Sequence, residues 1–382
     1  MKIYYWSPFF TNIATIMAVI NSANSLKIFS KNDHYNVSMI DSIGEWDYYK
    51  NKIDKRIDIL NLSKLKLIKY LPKNTYLKSR ISYLIIFFFS FFKLLNLINK
   101  EKPDYLIVHL ITSLPIFLSL FFNKKTKIIL RISGYPKINF FRKFFWKIFS
   151  NKISAVTCPT EITRKFLINE NIFNKEILYT LRDPIINMRE YLLKKKEKLS
   201  YKNLEKEDYI IGIGRLTKQK NFSLLINSFK EIQNSHKNLK LVILGEGEEE
   251  NKLKKIVNKL NISDKVLFLG YQKNVYKFLI NAKCFILSSL WEDPGFVLIE
   301  SIISNTSILS SDCPNGPKEL IKHKQNGFVF SNNDAHSCEK QISSFLKDKK
   351  DLKEILYNNL KMSKMFSLYN HQKNFKNIIE GV

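Results

Sequence analysis

Glycine and proline are scarce in this chain of 382 residues, at 11 and 10, which excludes a collagen-like repeat and a linker-like, low-complexity sequence. Cysteine is scarcer. Cys158, Cys284, Cys313 and Cys338 lie far apart with no CxxC pair, so neither a disulfide framework nor a zinc ribbon is expected, and a reducing, cytoplasmic compartment fits. The six histidines show no ligand spacing except His336-x-Cys338 in a polar stretch, and there is no DxD-like cluster, so no metal site is expected. Acidic residues are few as well: 34 Asp+Glu against 62 Lys+Arg leave a net charge of +28. What is plentiful is apolar residues, at 45%, enough for two domains of ordinary size.

The basic excess is uneven. Residues 51–150 hold 20 basic and 4 acidic side chains, +16 of the +28. Such a field attracts phosphates, whether of a nucleic acid, an anionic lipid or a nucleotide. The first twenty residues are apolar, but Trp6-Ser7-Pro8 and Thr11-Asn12 interrupt them, so a strand, a loop and a helix are expected rather than a secretory signal. The run Tyr83–Phe92, YLIIFFFSFF, is ten residues long. A helix needs about 20 to cross a bilayer, so no transmembrane span is expected. Two readings of the run stand: a buried helix, or one lying in a membrane interface, since Lys73, Lys78, Arg80, Lys93 and Lys100 flank it.

Short β-branched runs alternate with helical spacing along the chain. Strand-like segments include Lys2–Trp6, Tyr105–His109, Lys127–Ile132, Ala155–Cys158, Tyr209–Ile213, Lys240–Leu244, Lys265–Leu269, Cys284–Ser288 and Ser307–Ser310. Phe222–Asn234 and Glu249–Leu260 carry apolar residues three and four apart. The alternation predicts an α/β chain with parallel sheets wrapped by helices. The charged stretch KKKEKLSYKNLEKED marks a boundary. It divides the chain into two Rossmann-like domains, 1–186 and 205–361, a linker at 187–204 and a C-terminal helix at 362–382.

In the second domain the strand Tyr209–Ile213 runs through Gly214 into Arg215-Leu-Thr-Lys-Gln-Lys220. Two cations at a strand's carboxyl end suit a diphosphate, Arg as a planar fork and Lys as a point charge. The loop is neither a GxGxxG fingerprint, since Thr217 stands where glycine is needed, nor a Walker loop, since GK[ST] is missing. Further on, Glu292-Asp-Pro-Gly-Phe-Val-Leu-Ile-Glu300 follows a strand, and Pro294 and Gly295 predict a helix start between the two glutamates. The free N–H groups of that start suit an anion, and a carboxylate on either side suits a vicinal diol. A nucleotide sugar has that layout.

Taken in order, Arg215 and Lys220 after the first strand, Leu244-Gly-Glu-Gly247 after another, the Glu292–Glu300 pair, Asn315-Gly-Pro-Lys-Glu319 and Asn326-Gly-Phe328 closely resemble retaining glycosyltransferases of family 4. The likeness runs from about 205 to 330 and extends more weakly through Lys102–His109, Asp183-Pro184 and the C-terminal tail. It implies the GT-B fold, two Rossmann-like domains facing each other across a cleft, with the last helix crossing back to the first. It also implies a catalytic set of Arg215 and Lys220 on the diphosphate leaving group and Glu292 on the transferred sugar. Glu300 would hold the ribose, Gly295, Phe296 and Val297 would offer N–H groups, and Gly214, Gly247, Tyr271 and Gln272 would complete the donor site. No cofactor or metal is implied, because fixed cations stabilise the charge on the departing phosphate.

The first domain departs from the family. Ser7-Pro8-Phe9-Phe10-Thr11-Asn12 replaces a Gly-rich loop, and Arg131-Ile-Ser-Gly-Tyr-Pro136 lacks the histidine many members carry. Phe9, Thr11, Asn12, His109, Arg131, Ser133 and Gly134 are the acceptor-side candidates, although His109 also reads as a packed residue. The activity implied is transfer from a nucleotide-diphosphate sugar, UDP by family frequency, to a lipid-linked or cell-surface polysaccharide acceptor. The place implied is cytoplasmic, peripheral on an anionic membrane surface, with no nucleic-acid partner. Two other readings compete. One is a basic nucleic-acid binder stacking bases on Phe140, Phe141, Phe144, Phe145 and Trp146, which at their spacing also read as a helix's buried face. The other is a sugar-nucleotide-modifying enzyme, against which the missing GxGxxG argues.

Overall fold

Runs of Ile, Val and Leu without polar alternation fit strands covered on both faces, and parallel sheets are where such strands occur. The computed structural model describes residues 1–10, 15–30, 34–72, 76–122, 125–199, 201, 204–348 and 352–382. Thr11, Asn12 and Lys73 lie outside them. The chain forms two units, Met1–Ile185 joined by Leu368–Val382, and Ile186–Ser367.

The first unit holds β1 (Lys2–Trp6), β2 (Asn36–Asp41), β3 (Asp58–Asn61), β4 (Tyr105–Val108), β5 (Lys127–Arg131), β6 (Ile153–Cys158) and β7 (Leu178–Thr180). They pair in the order β3-β2-β1-β4-β5-β6-β7, every pairing parallel. Alternate residues of β1 serve opposite faces, as a strand's period of two requires. Ile3 and Tyr5 pack with α1 (Thr15–Ile28) through Val19 and Ile20, and with Phe375, Ile378 and Ile379 of the final helix. Tyr4 and Trp6 pack on the other side with α2 (Tyr76–Glu101), α3 (Ser113–Leu118), α4 (Phe140–Phe149) and α5 (Glu161–Asn169), through Leu94, Ile116, Trp146 and Leu167.

The second unit opens with α6 (Met188–Lys194). Its sheet consists of β8 (Tyr209–Ile213), β9 (Lys240–Leu244), β10 (Val266–Phe268), β11 (Phe285–Leu287), β12 (Ile308–Ser311) and β13 (Phe328–Phe330), in the parallel order β10-β9-β8-β11-β12-β13. The helices are α7 (Phe222–Ile232), α8 (Glu250–Lys259), α9 (Tyr276–Asn281), α10 (Phe296–Ile303), α11 (Gly316–Leu320), α12 (Ala335–Lys347) and α13 (Leu352–Ser363). The chain then turns at Lys364–Phe366 into α14 (Leu368–Glu380), which belongs to the first unit. The four cysteines are buried and none is in a disulfide.

Three expectations need correction. The stretch 187–204 is not a linker: α6 caps the second unit, with Tyr191 buried edge-on against Tyr276 at 5.1 Å and Asn274 Nδ2 donating to Lys194 O at 2.8 Å. The tail is not one helix from 362, because α13 runs to Ser363 and stays with the second unit, while Phe366 is buried at the bend. The run Tyr83–Phe92 is the middle of a helix of 26 residues, and Leu77–Glu101 is long and apolar enough to cross a membrane. Only one stripe of that helix is buried, and Phe140, Phe141 and Phe144 of α4 are exposed rather than packed.

Candidate nucleotide-sugar site

The carboxyl end of β8 is shaped by glycines that let backbone touch backbone. At Gly245 a Cβ would stand 1.9 Å from Gly214 O, and at Gly247 one would stand 2.4 Å from Leu216 O. Gly245 also has φ +137°, which side-chain-bearing residues rarely adopt. With the loops this close, Gly214 N donates to Leu244 O at 3.0 Å and Leu216 N to Glu246 O at 2.8 Å. Gly247, expected at the base, thus owes its smallness to this contact. Gly214 has a second role: a Cβ there would lie 3.1 Å from Lys220 Cε, so its absence leaves room for the lysine stem.

Lys220 closes a 3₁₀ turn, Lys218–Lys220, after which Asn221 takes a left-handed conformation and α7 begins. Its ammonium pairs with Glu292 Oε1, which also accepts from Ser289 Oγ at 2.6 Å. Ser288 Oγ donates to Lys220 O at 2.8 Å, Leu290 N to Gln219 O at 2.8 Å, and Gln219 Nε2 to Trp291 O at 2.8 Å. The turn after β8 is therefore stitched to the loop after β11. Arg215, by contrast, is exposed and meets no carboxylate among the described residues. One expected cation is held and the other is free for a ligand.

Glu292 is buried, and its N–H approaches Pro314 O at 3.4 Å. Gly316 allows this side of the loop to close, since a Cβ there would lie 1.8 Å from Pro294 O. Gly295, with φ +89°, stands at the N-cap of α10 without a side-chain cap, so the first-turn N–H groups at Phe296 and Val297 are not consumed by one. Both residues are half-buried. Glu300, one turn further on, is half-buried too. Burial raises its carboxyl to about 7; the Lys194 charge lowers it and Glu190 raises it. Lys194 and Glu190 are paired on α6 at 2.8 Å. At the end of β10, Tyr271 is exposed while Gln272 spends its amide on Leu269 O at 2.7 Å.

The structure thus brings Lys220 and Glu292 together, with Gly214 beside them, and leaves Arg215, Tyr271 and the start of α10 available. Three partners were not anticipated from sequence: Ser289, Lys194 and Glu190. Ser289 has no local signal, because its hydroxyl matters only through the lysine brought in from 69 positions earlier.

In the first unit three of the five described acceptor-side candidates are spent on the fold. Phe9 is a core residue, edge-on to Trp46 at 4.9 Å and to Tyr49 at 5.8 Å, because the loop after β1 turns it inward. Arg131 is buried and paired with Asp183. His109 is buried; its Nδ1 lies 3.4 Å from Ser133 Oγ and its Nε2 meets no partner among the described residues. Burial, the Arg131 charge and His371 push its pKa well below the usual histidine value, so it is neutral. Ser133 and Gly134 remain half-buried.

Residues 194–362 match the family described as "Glycosyl transferases group 1". Among curated proteins, the chain is 34% identical over 247 residues to the uncharacterized glycosyltransferase MJ1059 of Methanocaldococcus jannaschii, covering 60% of this chain and 61% of that one. It is 26% identical over 246 residues to the Campylobacter jejuni N-acetylgalactosamine-N,N'-diacetylbacillosaminyl-diphospho-undecaprenol 4-alpha-N-acetylgalactosaminyltransferase, covering 60% and 63%. The chain therefore spans about three-fifths of the length of these relatives. Among solved structures, Anabaena Alr3699/HepE in complex with UDP superimposes with a TM-score of 0.75 at 14% identity, covering all of both chains. Residues 194–362 are thus similar to the glycosyl transferases group 1 family, and the chain's two parallel sheets have the GT-B fold.

Proposed function

We propose that the protein is a retaining glycosyltransferase of the family 4 type. It would move a sugar from a nucleotide-diphosphate sugar, a UDP-sugar first, to a lipid-linked or cell-surface polysaccharide acceptor. The observation that carries this reading is the head of α10, where a buried carboxylate, a lysine held against it and uncapped N–H groups meet. Breaking an anomeric C–O bond to a diphosphate builds negative charge on the departing oxygen. Lys220 and Arg215 supply fixed positive charge there, and water need not reorganise to do so. A sugar hydroxyl donating to Glu292 would share the carboxylate with Lys220 and Ser289. Glu300, once ionised, accepts from a ribose diol. No metal is assigned a role.

The relatives support the choice of partners: one is named for a lipid-linked acceptor, and the HepE structure is titled with UDP. A cytoplasmic place, peripheral to the inner membrane face, fits such an acceptor. The test is a thermal-shift screen of sugar nucleotides followed by turnover with the best one. A ligand at 100 times its dissociation constant stabilises the folded protein by about 2.7 kcal/mol. Arg215→Ala and Glu300→Ala are each expected to lower turnover at least about tenfold, roughly 1.4 kcal/mol of lost transition-state stabilisation, with melting unchanged for Arg215→Ala. Turnover at the parent rate in both variants overturns the donor-site assignment.

A further inference from the structure

The side of the first unit that carries α2, α3 and α4 is apolar inside and out. Along α2, Ser82, Ile86, Ser90, Leu94 and Ile98 recur every four residues and are buried. Ser82 Oγ donates to Pro72 O at 2.7 Å and Ser90 Oγ lies 2.5 Å from Ser42 Oγ, so this stripe is fixed to its own unit. The opposite stripe, Leu77, Ile81, Leu84, Phe88 and Phe92, is exposed, Phe88 at 70% and Phe92 at 72%. A helix that packs one stripe and faces water with the other ordinarily makes the second stripe polar. Here it is as greasy as the first.

The pattern recurs on α4. Trp146 is buried, while Phe140 and Phe141 are 78% and 79% exposed, with Phe144 and Ile148 beside them. Ring contacts join the helices: Phe91 of α2 lies 6.1 Å from Phe117 of α3, and Phe117 lies 6.3 Å from Phe149 of α4. The two outward stripes therefore belong to one side of one sheet. Monomeric proteins rarely leave so much aromatic surface in water without a partner.

Charge chooses the partner. The single acidic residue of α2 is Glu101, at its end, and α4 has none. Exposed basic residues surround the stripes: Lys78, Arg80 and Lys100 on α2, Lys137 before α4, and Arg142 and Lys147 on it. A neutral apolar protein groove has no use for these cations, whereas an anionic bilayer takes both components at once. A transmembrane placement of α2 would strip Leu94 and Ile98 from the core they share with Leu106 and Val108. We propose that this side docks onto an anionic membrane surface, with Phe88, Phe92, Phe140, Phe141 and Phe144 entering the headgroup boundary and the basic residues meeting lipid phosphates. The proposal stands apart from the donor site, since binding of this kind needs no sugar nucleotide.

The experiment is cosedimentation of the full chain with phosphatidylcholine vesicles, with and without phosphatidylglycerol. Binding at low salt is expected to be at least about tenfold stronger on the anionic vesicles, and added salt should weaken it without abolishing it. The double substitution Phe88→Glu/Phe92→Glu is expected to lose binding at least about tenfold, and Phe140→Ser/Phe144→Ser to lose most of it. Circular dichroism melts check that each variant folds, and the second pair decides if the first does not. Arg142→Gln/Lys147→Gln should reduce only the preference for anionic lipid. Equal partitioning onto both vesicles, or parental binding by the folded phenylalanine variants, overturns the proposal. So does a concentration-dependent dimer in sedimentation velocity that Phe88→Glu/Phe92→Glu abolishes while the parent ignores vesicles.

Discussion

Removing Lys220 should unsettle the fold of its own unit, apart from any effect on the proposed donor site. Its side chain is 15% exposed and that of Glu292 is 5%, so their ion pair is nearly dry. Truncating one partner of such a pair strands the other charge and costs about 3–5 kcal/mol in comparable cases. Water still reaches the lysine, and Ser289 Oγ still bonds Glu292, which puts Lys220→Met at the lower end, about 3 kcal/mol. For a unit the size of Ile186–Ser367, each kcal/mol moves the melting point by about 2–4 °C, giving a drop of roughly 6–12 °C. Glu292→Gln should fall less, because Lys220 can turn its ammonium toward water. The double variant Lys220→Met/Glu292→Gln, with no stranded charge, should recover to within about 1 kcal/mol of the parent. Differential scanning calorimetry of the four proteins, following the second unit's transition, reads the cycle. Additive losses, or a Lys220→Met melt within about 1 °C of the parent, would refute the buried pair as the link between the two loops.

Two further outcomes follow from the same unit. Burial raises Glu300 from 4.5 to about 7, so the folded state binds its proton more tightly than the unfolded state does. Stability should then fall as pH rises from about 4.5 through 7, while affinity for a nucleotide sugar rises from pH 6 to 8 as the carboxylate forms; urea melts and calorimetric titrations of Glu300→Gln should show both trends flattened. Gly245→Ala places a methyl group 1.9 Å from Gly214 O, so it should force the Arg215 loop away. A loss of more than about 1 kcal/mol in urea unfolding is expected, and weakened nucleotide-sugar binding with it.

The inner strands were legible because they are short apolar runs, rich in Ile, Val and Leu in β4, β5, β8 and β9 and in aromatics in β1, and they stand where periodicity puts them. The strands not anticipated, β2, β3, β7 and β13, carry polar residues or only three positions, and the last three lie at sheet edges, where one neighbour suffices. Stretch 187–204 looked like a linker because its lysines dominate its composition. Yet Tyr191, Leu199 and Leu204 are buried and anchor it. In the site, the Glu292–Glu300 spacing announced a helix start, but no local signal shows that Lys220 lies against Glu292, since 72 residues separate them. Phe9 was misjudged for a related reason. Its loop position says exposure, and rings distant in sequence, Trp46 and Tyr49, make it core.

The return of α14 to the first unit has a consequence for biosynthesis. Tyr105 OH donates to Ile379 O at 2.8 Å, and His371 Nε2 accepts from Ser22 Oγ at 2.8 Å. Phe375 fills the face above β1. During synthesis the first unit therefore lacks a piece of its interior until residues 368–382 have emerged, whereas the unit threaded between its two portions is complete sooner. Removing residues 368–382 should thus injure the first unit, leaving the second to fold on its own schedule.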